Sequence, residues 1–308
     1  MGINFIRYKN IYYWVSGTFC LLSLLAVIFL GLVPGIDFSG GSIIEVEYQE
    51  NRPSVEEVAE KLELLNLHEI NVQPLEEDGF LIKARESEEE VYEAITGALE
   101  NAEVKQFKAI GPTIGSELKK NSVFAILLAS LLVIFYISII FQQKNGSVNS
   151  LKYGVIATGI AFFHDILILT GVFALLGYFY SVPVTVPIVV AFLTTLGYSL
   201  NDTVVIFDRI RENLRKKEKY REEKSDRGEL EVVINKSLNE VVGRSLSTSL
   251  TTLFVLFSVL FLVGGNIYYF TLALIIGVAV GTYSSIFIAG PLVLDWNDIK
   301  RHNNSKKN

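Results

Sequence analysis

The stretch VPVTVPIVVAFLTTLGYSLNDTVVIF (residues 182–207) decides the fold class. A helix needs about 20 predominantly apolar residues to cross the hydrocarbon core of a bilayer. This stretch exceeds that length and carries a single charge, Asp202. Residues 11–33, 122–141, 153–177, 245–263 and 268–294 have the same character. The sequence therefore predicts an α-helical membrane protein with six transmembrane helices.

Charge falls between these stretches rather than within them. The chain of 308 residues holds 27 Lys+Arg and 33 Asp+Glu, a net charge of −6. Charged residues make up 19% of it, below the roughly 25% of an ordinary soluble domain. Residues 34–121 alone hold twenty acidic and eight basic side chains. Apart from the charged blocks at 1–10, 34–121, 142–152, 208–244 and 295–308, the chain has two carboxylates, Asp165 and Asp202, and one histidine, His164. This distribution excludes a soluble globular protein and a disordered chain. Cys20 is the only cysteine, so there is no disulfide framework and no cysteine metal site. No metal site and no cofactor are expected. Nucleic acid is excluded as a partner because the one large polar block is acidic.

Lys and Arg in short loops mark the cytoplasmic side. Arg7 and Lys9, Lys144 and Lys152, the 208–244 block and the tail form one set, whereas the links near 178–181 and 264–267 carry no charge. Both termini are thus expected in the cytoplasm. The first apolar run is too long for a cleavable signal and reads as a signal anchor. The expected organisation is a cytoplasmic N-terminus with the first transmembrane helix (1–33), an extracytoplasmic α+β domain (34–121), and a five-helix membrane region (122–294) with a cytoplasmic loop at 208–244. A cytoplasmic tail (295–308) follows.

Within 34–121, Ser42–Tyr48 alternates as a strand, and Ser54 with Glu57 has the spacing of a capping box opening a helix to about Leu65. Ile70–Pro74 and Phe80–Ala84 read as strands around a turn at Asp78-Gly79. Ser87 with Glu90 suggests a second cap, for a helix to about Leu99, and Val104–Ile110 reads as a last strand. The order β-α-β-β-α-β is that of the ferredoxin-like split motif. The mixed charges of 208–240 suit a solvated helical loop, with anionic lipid or a cytoplasmic partner as the alternative occupant.

Ionisable groups inside spans are expensive and mark function by default. Asp202 sits among Gly197, Tyr198, Ser199, Asn201 and Thr203, toward the cytoplasmic end of its span. Either it handles protons or it joins an interhelical hydrogen bond that glues the bundle. Arg244 opens the fifth span, with Thr248, Thr251 and Thr252 on the face below it. It either pairs reversibly with Asp202 or snorkels to the headgroups. His164 and Asp165 lie midway through the third span, as a second proton site or a polar lock. Adjacent residues on a helix diverge by about 100°, so no dyad between these two is expected. An aspartyl-protease dyad of Asp165 and Asp202 is opposed by their different depths. Gly277, Gly281 and Ser285 recur every four positions as a close-packing stripe, and Gly154, Thr158 and Ala161/Phe162 form a weaker one.

Several of these motifs resemble the SecF family, the smaller membrane subunits of the SecDF protein-export complex in the resistance-nodulation-division superfamily. They are Gly35-Ile36-Asp37-Phe38-Ser39-Gly40-Gly41, Gly111–Gly115, Phe163-His164-Asp165, Gly197–Thr203 with Phe207–Asn213, and Gly243-Arg244 with its Ser/Thr run. The resemblance covers nearly the whole chain. It implies a translocase accessory motor beside the SecYEG channel, which uses the proton gradient to promote export of unfolded polypeptides. By the resemblance, Asp202 matches the family's proton-relay aspartate and Arg244 its arginine in the next span. A separate SecD-like partner is implied, since no further carboxylate of the superfamily's set is present in this chain. The glycines Gly40, Gly41, Gly111 and Gly115 would then be hinges between the outer domain and the spans. Two rivals remain: a stand-alone proton-coupled exporter of a small amphiphile, and a non-motor scaffold of the translocon. No nucleophile–base pair supports an enzyme.

Overall fold

A computed structural model describes residues 3–49, 52–65, 70–75, 78–85, 89–99, 102–140, 150–220 and 227–295. The chain divides into two compact units, one of residues 33–125 with 183–186, the other of 1–32, 126–182 and 187–308.

The smaller unit is built on four strands: β1 (Gly41–Tyr48), β2 (Asn71–Leu75), β3 (Gly79–Ala84) and β4 (Ala102–Ile110). Every pairing is antiparallel and the order is β2-β3-β1-β4. That order is the one the split β-α-β-β-α-β motif generates, as the sequence predicts. Its helices are α3 (Val55–Glu63) and α4 (Glu89–Ala98), and a single helical turn, α2 (Ile36–Ser39), precedes β1. Alternation sets the register: Ile44, Val46, Phe80 and Ile82 point inward and meet Val58, Leu62, Val91 and Ile95. A one-residue slip would turn all of these outward, so the core fixes the pairing. At Ser54 the capping box forms, with Glu57 N–H donating to Ser54 Oγ (3.2 Å) and Ser54 N–H to Glu57 Oε2 (3.0 Å). Such a cap stabilises a helix by about 1 kcal/mol. The second cap falls on Ser87, outside the described residues. On the solvated face Lys105 bridges Glu47 and Glu103, which holds the Glu103 carboxyl below its usual range.

The larger unit is helical. Its elements are α1 (Lys9–Phe29), α5 (Pro112–Ile140), α6 (Ser150–Tyr180), α7 (Val186–Tyr220), α8 (Arg227–Leu260) and α9 (Gly265–Ser284). The first turns of α5 and the first residue of α7 belong to the smaller unit. All six helices are long and apolar enough to cross a membrane. They outrun the apolar stretches that mark them in the sequence. α5 begins at Pro112, and α7 and α8 carry residues 208–220 and 227–244 of the charged block as helical extensions, in keeping with the helical loop read from the sequence. Residues 221–226 between them, Lys144 and the tail from 296 lie outside the described residues.

Large apolar side chains stand on the outside of this unit, among them Trp14, Phe29, Phe135, Phe254 and Phe261. Their number far exceeds what a water-facing surface carries, and it suits lipid. Inside, close approach depends on small residues. A Cβ on Gly171 of α6 would stand 2.3 Å from Ser23 Cβ of α1, so these helices pack backbone to backbone. The ends are pinned by polar contacts. Lys9 pairs with Asp295, and Asn235 and Asn239 of α8 bind the N-terminal backbone at Phe5 and Ile3. The extensions of α7 and α8 are joined by Arg209 to Glu240 (2.6 Å) and Asn213 to Glu240 (2.7 Å).

Candidate functional site

The stripe on the last span positions the polar site. Gly277, Gly281 and Ser285 of the α9 span face Thr195, Ser199 and Thr203 of α7, both sets spaced by four residues. A Cβ on Gly277 would lie 2.2 Å from Thr195 Cγ2, and one on Gly281 2.7 Å from Ser199 Cβ. At the next step Ser285 Oγ donates to Ser199 O (3.0 Å) and meets Thr203 Oγ1 at 2.8 Å. Two glycines therefore let the backbones approach until hydroxyls can cross-link them. The helix widens into a π turn at Ser285–Ala289, a feature that recurs at functional sites. Nothing in the residue spacing signals it.

Asp165 of α6 closes this interface from a third side. Its Oδ2 accepts hydrogen bonds from Ser199 Oγ (2.6 Å) and Ser284 Oγ (3.0 Å). Its Oδ1 lies 3.0 Å from His164 Nδ1. The expectation that these neighbours do not meet is thus wrong: divergence of the Cβ directions is overcome by the side-chain torsions of a long imidazole. His164 in turn stacks on Tyr283 with ring centroids 6.3 Å apart, and Tyr283 OH accepts from Ser16 Oγ. Asp165 thus fastens α6, α7 and α9 together, with two hydroxyl donors on Oδ2 and the His164 ring beside Oδ1, the geometry of a lock.

Asp202 differs. It lies about one helical turn beyond Ser199, is 3% exposed, and its Oδ2 has no hydrogen-bond partner among the described residues. Ser245 Oγ on α8, likewise buried, faces the Asp202 carboxyl without closing a hydrogen bond of ordinary geometry. An unsatisfied buried polar atom costs about 1–3 kcal/mol, more when charged, so this carboxyl calls for a proton or a partner. The arginine expected to supply one does not do so here. Arg244 is exposed and acts on Asp202 only through space; no ion pair joins them among the described residues. Thr248 and Thr251 share its outward face and bond back to their own helix. At this level of α8 the buried residues are Ser245 and Ser249, and Ser249 links to Thr282 of α9 (2.6 Å) and to Tyr198 of α7 (3.3 Å). Sequence reading pointed to the threonines and missed Ser245, Ser249, Ser284 and Tyr283.

The glycines read as hinges sit in the smaller unit and make tight contacts. Gly40 and Gly41 have φ of 77° and 118°, a region open mainly to glycine. A Cβ on Gly41 would lie 2.5 Å from Ala84 O, and one on Gly115 2.9 Å from Gly40 N. Gly111 alone has open space around it. Three of the four allow close backbone approach at the start of β1 and α5.

Comparison with known proteins places this geometry in a class. Residues 90–299 match the family profile described as protein export membrane protein SecD/SecF, C-terminal, and residues 25–51 match the SecD/SecF GG motif. The chain belongs to the SecD/SecF family of protein-export membrane proteins. It is 32% identical to the protein translocase subunit SecF of Thermobaculum terrenum, across 96% of this chain and 94% of that one. It is 38% identical to the SecF of Thermodesulfovibrio yellowstonii, across 84% and 82%. Among solved structures it is similar to SecDF of Thermus thermophilus, a translocon-associated membrane protein, with a TM-score of 0.80 and 30% identity over 97% of this chain. SecDF in a super-membrane-facing form gives a TM-score of 0.67 at 30% identity. The chain spans about two fifths of the length of these solved SecDF chains, 39% of the first and 40% of the second.

Proposed function

We propose that the chain is a SecF-type accessory subunit of the Sec translocase, which works with a SecD-type partner to promote export of unfolded proteins and draws on the proton gradient. The observation that carries the proton reading is Asp202: a carboxyl buried inside a span with one oxygen unpartnered. Protonated, it sits in the bundle at little cost. Ionised, it is driven toward the nearest cation and donor, Arg244 and Ser245. A proton falling through about 100 mV releases roughly 2.3 kcal/mol, enough to shift a two-state equilibrium by about 50-fold. The chain needs no catalytic group for this, and the work is done by moving helices rather than by breaking bonds in a substrate.

In this reading the sheet domain faces the outside of the cytoplasmic membrane and both termini face the cytoplasm. The Lys/Arg distribution supports that orientation. The SecYEG channel and the unfolded chain in transit are the further partners, and the charged extensions of α7 and α8 lie at the cytoplasmic headgroups.

The Asp165 lock supports the scaffold reading equally well, so the two must be separated by energy supply. Export of a secreted reporter is measured in vesicles holding the translocon, this chain and its SecD-type partner, with ATP saturating. Stimulation by the pair is expected to vanish when a protonophore collapses the gradient. Stimulation of unchanged size under the protonophore supports a scaffold instead.

A further inference from the structure

The segment 35–41 holds a charge whose contacts are more specific than those of its glycines. Asp37 lies in α2 and is 3% exposed. Its two oxygens reach different elements. Oδ1 lies 2.6 Å from Lys108 Nζ on β4, and Oδ2 accepts a 2.9 Å hydrogen bond from the N–H of Val186, the first residue of α7. A free N–H at a helix start carries partial positive charge, so a carboxylate is favoured there. The Lys108 ammonium, whose side chain is half-exposed, brings the second positive group.

The backbone around Asp37 repeats the connection. Gly35 N–H donates to Val184 O, and Val184 N–H donates to Val33 O, both at 2.7 Å. Pro34 and Val184 form a parallel bridge. Gly35 is required for this approach, because a Cβ there would lie 2.8 Å from Val184 O. The start of α7 is therefore fastened to residues 33–37, all within the smaller unit.

α7 is continuous from Val186 to Tyr220. Asp202 stands 16 residues along it, about 24 Å by helix rise. α7 has no break between these two residues, which gives a displacement at Asp202 a continuous path to Val186. The Asp37 carboxylate touches that first residue with one oxygen and a strand of the sheet with the other. We propose that Asp37 and Lys108 form a coupling latch, with Asp37 as a positioning residue that passes motion of α7 to β4. This rests on the proton-driven reading above. Breaking the ion pair should uncouple proton passage from export while leaving the proton path intact.

The test uses the full chain with its SecD-type partner in vesicles, reading proton uptake with a lumenal pH dye and export with a secreted reporter. Asp37→Asn keeps an oxygen for the Val186 N–H and removes the charge. Lys108→Met keeps the aliphatic stem, and Lys108→Arg keeps the charge. Asp37→Asn and Lys108→Met are each expected to lower export stimulation about fivefold or more, the lower bound of an ordinary coupling between sites, with proton uptake close to wild type. The double variant should be no worse than either single one, and Lys108→Arg should restore export. Unchanged export in Lys108→Met, or export and proton uptake falling in parallel, overturns the latch. If Asp37→Asn fails to accumulate, Lys108→Met decides alone, since its side chain is half in solvent. Asp202→Asn separates the two levels. If it loses both readouts while Lys108→Met behaves as wild type, only the latch falls; if it keeps both, the proton reading falls and the latch with it.

Discussion

Asp202→Asn is expected to reduce export stimulation by at least about tenfold, because in the proposed proton-driven reading it removes a step worth roughly 2.3 kcal/mol at 100 mV. The substitution is nearly isosteric, so the packing around this buried side chain is kept. It also breaks no hydrogen bond at Oδ2, which has none among the described residues. Loss of function should therefore come without loss of the protein: the amount of complex recovered with the SecD-type partner should match wild type. The measurement is reporter export in cells whose only copy is Asp202→Asn, normalised to complex recovered. Normal export would make Asp202 a packing residue and move the scaffold reading ahead.

The second large effect is structural. Gly277→Leu should destabilise the bundle, since even the Cβ of the new side chain would lie 2.2 Å from Thr195 Cγ2. Thr195 is buried and cannot swing into lipid. The α9 span must then move off α7, and Ser285 loses its bonds to Ser199 and Thr203. Overpacking of this kind costs about 1–3 kcal/mol before the lost hydrogen bonds are added. The expected result is a fall of about 5–10 °C in the thermal aggregation midpoint of the purified chain. Gly159→Leu is the control, because nothing lies within 4 Å of a Cβ there. Equal midpoints for the two variants would show that the stripe is not a tight contact.

How much of this could be read from the chain follows from which signals are local. The capping box at Ser54 and Glu57 forms because both partners lie within one turn, and the strand register follows from the alternation of Ile44 and Val46. The Gly277–Gly281–Ser285 stripe was legible because small residues at a spacing of four have few uses in a membrane helix. Which face of α8 turns inward was not legible. In lipid the outside of a bundle is as apolar as its inside, so periodicity does not say which way Arg244, Thr248 and Thr251 point. Ser284 and Tyr283 carried no signal for a related reason, being single polar groups in an apolar run whose partners come from α6 and α1. The His164–Asp165 contact depends on side-chain torsions that spacing cannot report. Asp37 was in view as part of a motif, but its role depends on Lys108 and Val186, 71 and 149 residues away in sequence.

The lock and the relay also explain each other. Asp165 is satisfied by Ser199, Ser284 and His164, which fixes the depth of α7 against α6 and α9. Asp202 lies on the same helix with Oδ2 unpartnered among the described residues, and in the proposed reading its protonation changes the energy of the bundle while the Asp165 contacts hold the helix.

The most direct test of that claim is proton movement itself. Vesicles containing the chain with its SecD-type partner and a lumenal pH dye are given an inward-directed potential, and wild type is compared with Asp202→Asn. The account predicts potential-driven acidification in the wild type that falls to the level of protein-free vesicles in the variant. Acidification of equal size in both would contradict it, and would remove Asp202 from any proton path.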